Sequence, residues 1–188
     1  PVVQRPREGL SSHEPNKMLA RTDANDSSGL YMDASLSLKH PLMTPVIETV
    51  FDSLGIKELQ SPRLYMAFSS RFSQYIGTRD SAPVVPRRYN PELFIRLWDN
   101  YEGYWDVGYG HESNGQQINN QASFELEEQN FLQSGQPAEY ARDGISRGWD
   151  YVSLDWTKQW QTGFLPNLPG FTTTHFEFRR FLSNGLLQ

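Results

Sequence analysis

The chain has 188 residues, a formal net charge of -5, 37% hydrophobic and 13% aromatic residues, and no cysteine. One domain is the ordinary expectation at this length, disulfides and thiolate metal sites are excluded, and the acidic balance without a basic, aromatic-interleaved patch argues against nucleic acid as a partner. No run of about 18 apolar residues occurs, so a helical membrane span is excluded; a mean hydropathy of -0.62 leaves a β-barrel open, because polar lumen residues cancel the lipid-facing ones.

In chain order, residues 1–28 are polar, rich in Pro, Ser, Asn and Asp, and read as a flexible N-terminal arm. The chain opens Pro-Val-Val and reads as a mature or trimmed form. Residues 29–188 carry strand-like alternation. Leu30, Met32, Ala34, Leu36 and Leu38 alternate with Tyr31, Asp33, Ser35, Ser37 and Lys39. Residues 45–59 have partial helical spacing, with Gly55 as a stop. Alternation returns with Leu64, Met66, Phe68 and Phe72 against Arg63, Tyr65, Ser69 and Arg71. A loop over 77–87 holds Ser81 and Pro83, and Tyr89, Leu93, Ile95 and Leu97 then alternate with Arg88, Glu92, Phe94 and Arg96.

After a tight turn at 100–103 comes the most informative strand. Trp105, Val107, Tyr109, His111 and Ser113 lie on one side, and Tyr104, Asp106, Gly108, Gly110 and Glu112 on the other. Residues 116–145 form a long, mostly polar loop in which Glu125, Glu127 and Glu128 read as solvated; loops of this length are more often functional than merely connecting. From 146 to 156, Asp150, Val152, Leu154 and Trp156 share one face. A weaker alternation ends the chain, with Phe176, Phe178 and Leu182 on one side.

Segments of about ten residues, each with one apolar face, suit a soluble sandwich or a transmembrane barrel. Trp and Tyr near the strand ends resemble the aromatic girdles of outer-membrane barrels. The six alternating segments fall short of the smallest single-chain barrel, and an open membrane sheet leaves backbone groups unpaired in lipid. The expectation is therefore an all-β, antiparallel transmembrane barrel of outer-membrane type, of which this chain covers about the first half.

His111 and Ser113, two residues apart in an extended strand, project from the same face. A base and a nucleophile are thus neighbours by local geometry alone. Asp150 is a candidate third member, and Ser, His and Asp in those roles make an acyl-transfer site whatever their order in the chain. All three extend the apolar face of their strands, a placement that suits a lipid substrate. The same His-x-Ser-Asn-Gly stretch also reads as a plain strand end and turn, and His13, His40 and His175 have no partner that spacing identifies.

The chain resembles the outer-membrane phospholipase A family of Gram-negative bacteria over roughly residues 30–156. Three blocks carry the likeness: Tyr109-Gly110-His111-Glu112-Ser113-Asn114-Gly115, Ser146-Arg147-Gly148-Trp149-Asp150, and Ser81-Ala82-Pro83 followed by Arg88-Tyr89-Asn90-Pro91-Glu92-Leu93-Phe94. The resemblance implies a twelve-stranded outer-membrane barrel whose outward face hydrolyses phospholipid acyl esters, with Ser113 as nucleophile, His111 as base and Asp150 where the family has asparagine. It also implies Ca2+ held by the Ser146 hydroxyl, the Gln116 carbonyl and, across a homodimer interface, the Ser81 carbonyl. The family joins its two motifs by a very short loop, whereas this chain inserts residues within 116–145. The interface glutamine of the family corresponds to Ser69, so dimerisation here would rest on apolar packing. The rival expectation is a non-catalytic β-sandwich or barrel module binding glycan or lipid; in a sandwich, Trp105 and Trp156 would be buried.

Overall fold

The computed structural model describes residues 9–22, 30–55, 60–76, 84–98, 103–161 and 170–182. Eight strands form one antiparallel sheet: β1 Ser11–Ser12, β2 Lys17–Thr22, β3 Leu30–Leu42, β4 Gln60–Ile76, β5 Val84–Trp98, β6 Gly103–Ser113, β7 Gly148–Gln161 and β8 Phe171–Phe181. From β3 to β8 each strand pairs with the next, and β1 and β2 both pair with β3. The sheet is open, with β8 at one edge and β1 and β2 at the other.

Alternation sends each residue type to the side expected of it, but the burial is inverted relative to a soluble protein. The sheltered side is mostly polar: Asp33, Ser37, Ser69, Asn90, Arg96, Asp106 and Glu112 are buried there, beside Tyr65, Ala67, Phe94 and Tyr151. Leu93, Val107, Val152, Leu154 and Phe178 are exposed on the other. A protein core normally hides its large apolar side chains and leaves its charges wet. Among the described residues no second sheet covers the apolar side, and Trp105, expected inside a sandwich, is 40% exposed.

Buried polar groups require partners, and cross-strand register supplies them. Arg96 lies opposite Asp106 and grips its carboxylate through two hydrogen bonds of 2.8 and 2.7 Å. The same guanidinium sits 3.7 Å from the Tyr104 ring centroid. Arg71 holds Asp33 similarly, and the paired Ser37 and Ser69 hydroxyls are 2.6 Å apart. Ser69, the position matched to the family's interface glutamine, therefore faces the polar side and offers nothing to a dimer on the apolar side.

Tyr151 explains the bare inner face of β6. It stands opposite Gly110, passes over that glycine, and sets its hydroxyl 2.8 Å from both Asn90 Oδ1 and Glu92 Oε1 on β5. A Cβ at Gly110 would collide with the Tyr151 ring. Gly110→Ala is expected to lower stability by about 1–3 kcal/mol, the usual cost of overpacking, seen as an earlier urea-unfolding midpoint. An unchanged midpoint would show that the ring can move aside.

The segment 1–28, expected as a flexible arm, contributes β1 and β2; residues 1–8 and 23–29 lie outside the described residues. Between β1 and β2 the chain reaches over the polar side: His13 Nε2 meets Glu92 at 3.0 Å and its ring stacks on Phe94. Helix α1, Thr44–Ser53, has Pro45 in its first turn and is followed by Gly55 at φ +73, the left-handed conformation that ends helices cheaply. The stretch expected as a long loop contains helix α2, Gln121–Gln133, whose Asn120 cap accepts from the Ser123 N–H at 2.9 Å. A 3-10 helix follows at Ala138–Gly144, and Phe131 meets Tyr140 edge to face. Among the described residues no helix is long and apolar enough to cross a membrane, which has no bearing on crossing by strands.

Candidate active site

Strands β6 and β7 bring the expected residues together. Their register sets His111 opposite Asp150 and Ser113 opposite Gly148, and His111 Nδ1 lies 2.8 Å from Asp150 Oδ1. An ionised carboxylate can only accept, so the ring donates from Nδ1, and the neutral imidazole then carries its lone pair on Nε2. That is the tautomer a general base needs. The two side chains are 45% and 37% exposed. Their attraction is therefore screened by solvent, and the pair orients the imidazole more than it stabilises the fold.

Ser113 ends the same face. On its β7 side is Gly148, where a Cβ would stand 3.4 Å from Ser113 Cβ and 3.7 Å from His111 Cε1. The missing side chain leaves open the space that both groups border. On its β5 side Ser113 pairs with Tyr89, which stacks against Phe68. Among the described residues Ser113 makes no hydrogen bond to the imidazole; in hydrolases this contact often tightens only once substrate binds.

Two contributors escape sequence reasoning. Tyr109, two residues before His111 on the same face, stands opposite Val152 and so becomes the diagonal neighbour of Asp150. Asn114 acts as a staple: its Oδ1 accepts from the Arg147 N–H at 2.9 Å and the Gln116 N–H at 3.3 Å, and its Nδ2 donates to the Ile145 carbonyl at 2.6 Å. Its own N–H is spent on the Arg147 carbonyl. A turn reading of Asn114-Gly115 hides this role, since the partners lie across the insertion.

The same staple brings the two described candidate calcium donors onto facing segments. Ile118 and Ile145 form a bridge, and the Ser146 N–H donates to the Ile118 carbonyl at 2.7 Å. A hydroxyl from Ser146 and a carbonyl from Gln116 are neutral oxygen donors of the kind a hard cation accepts. Ser81 lies outside the described residues. The groupings of acidic residues and histidine that could hold a metal fall elsewhere, at His13, Glu14 and Glu92 and at Asp155, His175 and Glu177.

A cavity of about 380 Å³ occurs on the polar side, lined by Lys17, Arg21, Asp33, Arg71, Arg88 and Asn90 among others. Its lining does not include His111, Ser113 or Asp150. Arg21 and Arg71 are paired with Asp33 and Arg88 with Glu112.

Comparison with protein-family models, with curated proteins and with solved structures gives no match.

Proposed function

We propose that this chain is an outer-membrane serine acyl hydrolase that cleaves phospholipid acyl esters from the outward face of a β-barrel, with calcium as cofactor. The observation that carries the proposal is the 2.8 Å contact between His111 Nδ1 and Asp150, with Ser113 two residues on along the same exposed face.

The inverted burial supports the membrane half of the reading. Apolar side chains that meet lipid and polar ones that meet a lumen are the pattern of a transmembrane β-strand wall. An aromatic row crosses one end of that face: Trp105 lies opposite Trp156 and Trp156 opposite Phe176. His111 is six residues further along β6 than Trp105, about 20 Å at strand rise. At the tilt of barrel strands, about 40°, that is about 15 Å of height, within an apolar band about 25 Å tall. In this reading the aromatic row lies toward one end of the band and the candidate triad toward the other, nearer the lipid ester groups. The reading requires the β8 and β1 edges to be paired, since unpaired backbone in lipid is costly; further strands, as in the twelve-stranded barrels the chain resembles, would do so.

In the proposed reaction the Ser113 Oγ attacks the ester carbonyl while His111 Nε2 takes its proton. Collapse of the tetrahedral intermediate expels the lysophospholipid alkoxide, which receives that proton from His111. Water, deprotonated by the same imidazole, then releases the fatty acid and regenerates the serine. Asp150 holds the imidazole in its tautomer and stabilises the imidazolium. Backbone donors next to the serine are scarce, because the Asn114 and Gln116 N–H groups are already engaged. Calcium held by Ser146, Gln116 and a partner copy's Ser81 carbonyl would supply charge stabilisation for the oxyanion. A site completed across two copies implies an isologous homodimer.

Fatty-acid release from phospholipid–detergent micelles tests the metal. Chelation is expected to reduce the rate at least 100-fold, with full return on added calcium but not magnesium, which prefers a rigid octahedral shell. Release that persists undiminished in chelator would remove calcium from the mechanism.

A further inference from the structure

We infer that the polar side carries an anion site at its Trp98 end, where Lys39, Arg63 and Arg96 take one small oxyanion of the phosphate class. The inference goes beyond the hydrolase reading and does not depend on it, since these residues lie on the side opposite His111 and Ser113. Cross-strand register sets Arg63 on β4 directly opposite Arg96 on β5, a like-charge pairing that weakens a sheet unless something offsets it. Lys39 on β3 and Arg96 both approach the Tyr65 ring, with Nζ and Cζ 6.0 and 5.5 Å from its centroid. The Asp106 carboxylate is already committed, because both of its oxygens bind Arg96. Among the described residues no carboxylate lies within ion-pair distance of Lys39 or Arg63. Farther across the sheet the same row turns acidic: Asp155 on β7 stands opposite Asp106, and Glu177 on β8 opposite Asp155. Along this row the positive charge therefore belongs to β4 and β5.

The groups left unsatisfied there point to a ligand. Nε and Nη1 of Arg63, and Nε1 of Trp98, are closed off from solvent and have no hydrogen-bond partner among the described residues. Trp98 follows Arg96 along the same side of β5, and the Arg96 guanidinium lies 5.6 Å from its ring centroid. Buried polar groups are ordinarily paired, and each of these nitrogens is a donor with no accepting capacity. They call for an acceptor, which excludes a cation. Tyr65 and Phe94 beside them are 2% and 4% exposed, and such a low-dielectric surround strengthens a charged hydrogen bond. A phosphate offers several acceptor oxygens, and a planar guanidinium can bind two of them at once.

Equilibrium dialysis of the full chain in neutral-detergent micelles against radiolabelled inorganic phosphate, at constant ionic strength, tests the site. One saturable site per chain is expected. Arg63→Gln should weaken it at least tenfold, as for loss of hydrogen bonds to a charged group. Trp98→Phe keeps an aromatic ring and every charge, removes only the indole N–H, and should weaken it at least threefold. Arg88→Gln, also on the polar side but held by Glu112, should leave binding within twofold of the wild type. Absence of a saturable site, a smaller loss in Arg63→Gln or Trp98→Phe, or a larger one in Arg88→Gln would overturn the inference and leave water as the partner of these donors. Esterase activity, present or absent, has no bearing on that outcome.

Discussion

Ser113→Ala and His111→Ala are each expected to reduce phospholipid hydrolysis about 10⁴-fold or more, with little further loss when combined, because nucleophile and base act as one unit. The expectation follows from β6 geometry. Both side chains leave the same face of one strand, and Asp150, fixed opposite by register, sets the imidazole proton on Nδ1. Without Ser113 no covalent intermediate forms; without His111 the hydroxyl keeps its proton. Neither change touches the polar side, so thermal unfolding should be unaltered. Initial rates of fatty-acid release, with unfolding measured on the same preparations, check this. Activity within tenfold of the wild type in either variant would mean that the residues are ordinary strand-end side chains.

The second large effect concerns the fold. Asp106→Ala is expected to destabilise the protein by about 3–5 kcal/mol, since removing one partner strands the other as a buried charge. Arg96 and Asp106 are both only 9% exposed at their side chains. The orphaned guanidinium would keep its aromatic neighbours Tyr65, Phe94, Trp98 and Tyr104, but such contacts do not replace a bidentate carboxylate. Replacing both members together, Arg96→Met with Asp106→Leu, should recover most of the loss, because apolar groups of similar volume often serve as well as a buried pair. Urea midpoints of the single and double variants decide it. If the single change leaves the midpoint unmoved, water reaches Arg96 and the polar side is not sealed there.

Alternation made the facing of β3 to β8 legible. Leu93, Val107 and Leu154 fall on one side and Arg96, Asp106 and Ser153 on the other, as period-two patterning requires. Which side was wet could not be read from the pattern, because alternation assigns faces and not their surroundings. The short strands β1 and β2 were hidden for a different reason. Met18 and Leu19 are adjacent and both exposed, so this edge strand buries neither face and leaves no alternating trace. Helix α2 was missed on similar grounds. It has no buried residue, hence no apolar stripe, and only its Asn120 cap and its Ala, Glu, Leu and Gln content hint at a helix.

At the candidate site, the His111–Ser113 spacing and the position of Asp150 could be read directly. The tie between them needed the β6–β7 register, since a shift of one residue would place Asp150 on the other face. Tyr109 and Gly148 were invisible for that reason. One becomes Asp150's diagonal neighbour and the other the gap beside Ser113 only when the strands are aligned. Asn114 is a further case: its acceptors and donors at Ile145 and Arg147 lie across an insertion whose return path no local pattern specifies.

An activated serine is the claim on which the rest depends, and a fluorophosphonate probes it without any assumption about the natural lipid. The full chain in detergent micelles, treated with the reagent and mapped by peptide mass spectrometry, should carry one adduct, on Ser113, and the adduct should be lost in His111→Ala. Labelling elsewhere, or labelling of Ser113 that survives loss of His111, would contradict the proposed pairing of nucleophile and base.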